Sequence, residues 1–320
     1  MKKLLFSLFA IALLVTPQAQ AKNKDKNKTI DWNQVDFVKD YKIKAKIPGS
    51  VGKSLSKNPT FISDFYLTQA SLMKGSSKAG TLQKQGVGSV FSEVELGGIS
   101  KEALLNLVEE LYKEFTNELK TAGLNIVDGK QLIETSYAQS KKDDKNSMVG
   151  QADGNAIFDK VSFTTGSDIR EQYIFRPEGK IVYTTWKKIP ANFYQRLSSK
   201  ESTNLISIGY TVRFAAFNSQ HVGLSKNRLA THAALSITPS IMIVNPKGAF
   251  SWIRVGENIW GNSGWAEGLV KTSSRDGSFV GLSSSADYAV AANQDQYIAE
   301  LKNIVSNLQK SIVSVLKENM

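Results

Sequence analysis

Hydrophobic side chains recur at three- and four-residue steps between Ser100 and Ala122, so Leu104, Leu107, Val108, Leu111, Phe115 and Leu119 share one face of a predicted helix. Ser100 suits the N-cap, Glu102 the positive helix end and Gly123 a left-handed stop. A second stripe, Tyr297, Ile298, Leu301, Ile304, Val305, Leu308, Ile312, Val315 and Leu316, predicts a closing amphipathic helix over about 294–317. Between them, Leu124–Val127 reads as a short strand, Lys130–Ser140 as a second helix, Lys141–Ser147 as a polar loop and Ala191–Ser199 as a short helix.

Elsewhere the period changes to two. Residues 61–73 mix aromatic and β-favouring side chains and predict a first strand, followed by a glycine-rich stretch from Gly75 to Gly98. The clearest alternation is 206–214, with Ile206, Ile208, Tyr210, Val212 and Phe214 on a dry face and Ser207, Gly209, Thr211 and Arg213 on a wet one. Leu235–Val244 alternates as well, and Pro239 within it predicts an edge or a bulge. Asn245-Pro246-Lys247-Gly248 turns that strand into Ala249–Val255. Gln172–Phe175 and Lys180–Trp186 read as another hairpin about Arg176-Pro177-Glu178-Gly179. Together these elements predict an α/β (α+β) fold, in which a mixed, largely antiparallel sheet is packed by the early helix (about 100–122) and the C-terminal helix.

Ahead of this pattern, Met1-Lys2-Lys3, an apolar run from Leu4 to Val15 and the triplet Ala19-Gln20-Ala21 read as a secretory signal peptide over 1–21. The run is about a dozen residues, short of the roughly 20 that span a bilayer. Residues 22–30 read as a disordered basic arm and 31–320 as a single domain with Gly/Ser-rich insertions. Removing Lys2 and Lys3 leaves 38 basic against 29 acidic residues, a formal charge of +9 where the whole chain carries +11. That excess favours anionic partners, and export makes nucleic acid the least expected among them.

Composition narrows the chemistry. With no Cys, thiolate metal sites, iron–sulfur clusters, disulfides and cysteine nucleophiles are excluded. His221 and His232 lie eleven residues apart without a local carboxylate, which predicts no metal site. Gly86-Val87-Gly88 lacks the third glycine of a dinucleotide loop, Asp143-Asp144 lies among lysines, and no cofactor is expected. Ser263 in Gly261-Asn262-Ser263-Gly264 is the sole opening to a serine hydrolase, a minor alternative to a chain without catalytic residues. The candidate contact residues are Trp260, Trp265 and Phe279, set among Gly and Ser. At least one of them is expected at a loop tip, although capping the sheet under long loops is the plainer alternative.

The order of helix and strand in Leu119–Val127, the alternating strand Asn204–Tyr210, the strand and turn Leu235–Trp252 and the closing helix resemble the curli-secretion-channel and TolB amino-terminal superfamily of periplasmic α/β proteins. The resemblance implies a non-enzymatic envelope protein that binds other proteins, assembles into rings or regulates an envelope machine. It places membrane hairpins at 211–234 and 253–285, where Lys226, Arg228, Lys271, Arg275 and Asp276 interrupt the apolar alternation, so a transmembrane barrel is a minority reading. Expected partners are envelope proteins, further copies of the chain and an anionic membrane surface. The expected location is the periplasm or cell surface, with outer-membrane association lacking a lipid anchor because no Cys is present to carry one. The competing expectation is a secreted β-rich protein that binds membranes or glycans through its Trp-bearing loops.

Overall fold

A computed structural model describes residues 29–77, 90–128, 148–150, 157–162, 168–178, 182–184, 190–222, 226–275 and 284–320. The chain divides into two units, Met1–Ile30 and Asp31–Met320, and the second holds the described helices and strands. Its first half runs α1 (Phe37–Asp40), β1 (Lys44–Ala45), α2 (Gly49–Leu55), β2 (Thr60–Ser77), β3 (Val90–Gly97), α3 (Lys101–Thr121), β4 (Met148–Gly150), β5 (Ile157–Ser162), β6 (Ile169–Arg176) and β7 (Val182–Thr184). Then come α4 (Pro190–Glu201), β8 (Asn204–Val222), β9 (Lys226–Val244), β10 (Phe250–Arg254), β11 (Ile259–Trp260), β12 (Ala266–Arg275), β13 (Ser284–Ala292) and α5 (Gln294–Glu318).

Among the described residues, eleven strands join one mixed sheet whose main path is β1-β10-β9-β8-β2-β3-β13-β12. Only β2–β8 and β3–β13 pair in parallel, and the other pairings are antiparallel. The α/β class and the mixed, mostly antiparallel sheet therefore hold. Helices cover both sides. On one face α3 and α5 lie side by side, and Phe65 of β2 sits fully buried among the rings of Tyr112, Phe115 and Tyr210. The opposite face carries α4, whose Tyr194 and Leu197 close a second cluster with Phe61, Leu205, Met242 and Val244.

α3 begins at the predicted cap, where Ser100 Oγ accepts from Ala103 N at 3.1 Å; α5 begins at Asn293, whose Oδ1 accepts from Gln296 N at 3.1 Å, a cap the sequence reading did not name. The predicted stripe of α5 is buried except for Ile298, which is partly exposed, and Gln309 and Val313 join it. Lys302 Nζ lies 2.6 Å from Glu110, tying α5 to α3 across a half-exposed rim where such a pair contributes less than about 1 kcal/mol. The turn at 245–248 forms as expected. Asn245 Oδ1 accepts from the amides of Lys247 (3.1 Å) and Ala249 (2.9 Å), and Gly248 takes φ +77.

Several expectations are corrected. The strand at 206–214 extends from 204 to 222, and its second face is dry near the start, where Gly209 lies beneath the Tyr66 ring and Leu205 beneath α4. β6 does not form a hairpin with the segment that follows it: it lies between β2 and β5, while β7 pairs with β4. The cause is its composition, since Ile169, Ile174 and Phe175 are buried and an interior position covers them better than an edge. The glycine-rich stretch 75–98 contains the end of β2 and all of β3, and 124–127 contributes only an isolated bridge from Ile126 to Thr60. The predicted second helix at 130–140 and the loop at 141–147 lie outside the described residues. Pro239 falls in the interval of β9 between its pairing with β11 (Ser236, Ile237) and with β10 (Ile241–Val244), so its missing donor leaves no ladder bond unmade there.

Candidate interaction surface

Beyond α4 the sheet face carries a field of polar side chains in rows that follow from the register; Thr68 and Ser236 are buried in it, and Thr211, Arg213 and Thr238 are partly exposed. Thr68 of β2 stands opposite Thr211 of β8, and Thr211 opposite Thr238 of β9. In the next row Arg213 of β8 stands opposite Ser236 of β9, and Ser236 opposite Trp260 of β11. Directly opposed residues project to the same side of a sheet, so these six share one face. Arg213 Nε donates to Asp168 Oδ2 at 2.9 Å and its Nη1 to Thr238 Oγ1 at 3.2 Å; Thr238 Oγ1 in turn donates to Asn258 Oδ1 at 2.9 Å. A carboxylate, a guanidinium, a hydroxyl and an amide are thus held in one chain of hydrogen bonds beside an indole. Ser236 Oγ is buried in that field without a hydrogen-bond partner.

Trp260 is 43% exposed yet firmly placed. Its neighbour Ile259 is fully buried opposite Ile237, and the alternation of a strand then sends Trp260 outward. Gly261 N donates to Leu235 O at 2.9 Å. A Cβ at 261 would lie 3.0 Å from Ile304 and 3.1 Å from Leu235, so the loop packs tightly there and those side chains would have to yield. One carboxylate, Glu300 of α5, accepts from Asn262 N (2.7 Å), Asn262 Nδ2 (3.1 Å) and Trp32 Nε1 (2.8 Å). The loop that presents the indole is anchored on both sides.

The other two candidate contacts part company with it. Trp265 is 2% exposed, packed edge-on against Tyr297 with ring centroids 4.9 Å apart. It belongs to the core, which corrects its place among the surface contacts; the helix cap at Asn293, whose amide bonds Trp265 O at 2.8 Å, draws it under α5. Phe279 lies outside the described residues. Sequence reasoning placed Arg213 on a polar strand face but missed Asp168, Thr238 and Asn258, because they reach the same surface from other parts of the chain.

The remaining chemistry-bearing groups stay apart. Ser263 is exposed in the turn where its carbonyl accepts from Ala266 N at 3.1 Å. His232 stands opposite Ala216 in the β8–β9 ladder, its Nε2 buried and without a hydrogen bond. His221 is paired with Asn227 in the same ladder. Among the described residues, no group of three or more His, Cys, Asp or Glu is disposed to hold a metal ion. On the α4 face, buried Asp64 accepts from the Tyr194 hydroxyl and from Ser63 Oγ at 3.4 Å. Burial first, and the Asp64 charge second, push the Tyr66 hydroxyl up to about 12.

Burial holds His232 below its ordinary 6.5. The unfolded chain therefore binds this proton more tightly, so the His232 contribution is intact above about 6.5 and is lost as pH falls from there through the folded-state value. Replacing His232 with Gln is expected to flatten the acid side of a stability–pH curve from chemical denaturation; an unchanged slope would show that His232 is solvated.

No helix among the described residues is long and apolar enough to cross a membrane, a statement that does not extend to strands. Comparison of the chain with protein-family models, with curated proteins and with solved structures finds no match.

Proposed function

We propose that this is an exported, non-enzymatic envelope protein that acts in the assembly, scaffolding or regulation of an envelope or secretion machine through protein–protein contacts, self-association among them. The observation that carries this reading is the state of the strand edges. β2 pairs with β8 only up to Val212, and β9 takes a partner on its far side only from Ser236 onward. Residues 213–222 and 226–234 therefore continue as a two-stranded ribbon with no strand paired along either outer side among the described residues.

The ribbon leans on the sheet through Phe217, which fills the space above Gly75, and through a 2.9 Å contact between Ser92 Oγ and Thr231 Oγ1. Among the described residues β12 ends the sheet with no strand paired on its outer side, and Glu267 and Val270 through Ser274 are exposed along it. Rows of main-chain donors and acceptors of this kind are templates for strand addition by another chain. Export rests on the leader-like residues Met1–Ala21.

Light scattering on the protein without residues 1–21, together with fractionation of cells expressing the full chain, tests the proposal. The expected result is a mass that is a multiple of the monomer, or a stable complex with an envelope protein, and recovery with the envelope. A monomer at every concentration, found in the soluble cytoplasmic fraction, would refute it.

A further inference from the structure

We infer that the open sheet face around Trp260 is a binding site for a neutral oligosaccharide. The components are those that sugar recognition requires: a flat apolar ring to stack on the C–H face of a pyranose, and polar side chains, already fixed in direction, to meet its hydroxyls. Trp260 supplies the ring. Arg213, Asp168, Thr238 and Asn258 supply the polar groups, and their mutual hydrogen bonds fix their geometry before any ligand arrives.

Spacing sets the size of the ligand. Trp260 and Arg213 stand on β11 and β8 with β9 between them, and two strand intervals amount to about 10 Å. A sugar stacked on Trp260 leaves its neighbour in the chain over the partly exposed Thr238 and the exposed Asn258, within reach of Arg213 and Asp168, so the site takes two or three units rather than one.

Charge selects neutral sugars. Arg213 is paired with Asp168, so its charge is balanced within the site, whatever the excess on the whole chain, and Asp168 at 43% side-chain exposure disfavours an acidic polymer. The anchored loop adds a further reason: Gly261 and the Glu300 node hold the indole against the entropy of a mobile tip, so little ordering remains to be done on binding.

This inference goes beyond the assembly reading and is independent of it, because a monomer can bind sugar and an oligomer can fail to. The test is calorimetry of the full-length protein with cellohexaose, chitohexaose and maltohexaose, repeated on Trp260→Ala and Arg213→Ala, with phosphatidylglycerol vesicles as a separate arm. The expected result is saturable binding of at least one sugar, weakened tenfold or more by Trp260→Ala and measurably by Arg213→Ala, with a cooperative thermal transition retained in Trp260→Ala. Trp265→Phe, in the core, should bind as the parent does. Absence of binding to all three sugars, equal binding by Trp260→Ala, or Trp260-dependent binding to the vesicles alone would overturn it.

Discussion

Trp265→Ala is expected to destabilise the protein by about 3–5 kcal/mol, the range for removing a large aromatic side chain from a packed core. Trp260→Ala, five positions earlier, should cost less than half of that, because its ring is 43% exposed. Trp265 is sealed at 2% exposure against Tyr297, whose hydroxyl donates to Gln69 Oε1 at 2.8 Å and so links the indole to β2. Deleting the indole removes that packing and loosens α5 from the sheet at the point where the helix begins. Trp260 faces outward at 43% exposure, so its loss removes much less packing than that of Trp265. Urea unfolding of the two variants measures both effects in one experiment, and comparable destabilisation by both would contradict the placement of the two rings.

Gly98→Ala is the second large effect, for a different reason. Gly98 connects β3 to α3 at φ +89, and a Cβ there would come within 2.4 Å of the Ala292 carbonyl oxygen. The clash is with backbone, which cannot rotate aside as a side chain does. Ala292 is also held in place, since Ala291 pairs with Gly97 and Ala292 with Ala266. Left-handed strain of about 1–2 kcal/mol adds to an overpacking cost of about 1–3 kcal/mol, so a loss near 3 kcal/mol is expected. Gly123→Ala is the control: its φ is +97, but nothing lies within 4 Å of the added carbon, so only the strain remains. Equal losses in the two variants would show that β13 yields to the methyl group.

The field around Trp260 was partly legible in the chain. Alternation from 206 to 214 places Arg213 on a polar face, and the Gly/Ser-rich setting marks Trp260 and Trp265 as rings to examine. Nothing local separates those two rings. Trp260 faces out because β11 pairs with β9 as Ile259 to Ile237, and a slip of one residue would reverse it. Asp168, Arg213, Thr238 and Asn258 converge from segments as far as 90 positions apart, and only strand pairing brings them together. Periodicity did not mark β12, which only the family resemblance covered with its hairpin at 253–285: at the end of the sheet it buries little and so needs no apolar alternation.

By itself the sequence determined α3 with its cap, α5, the buried stripes of both, the alternating cores of β8 and β9, and the turn at 245–248. Each of these is set by neighbours within a few positions, through helical or strand periodicity, a first-turn amide or a glycine at positive φ. The tertiary structure alone decided which strands lie beside β6, that β8 outruns its partner β2, which tryptophan is core and which is surface, and which polar groups share a face. Those outcomes depend on register between distant segments, where the burial of one residue fixes the direction of the next.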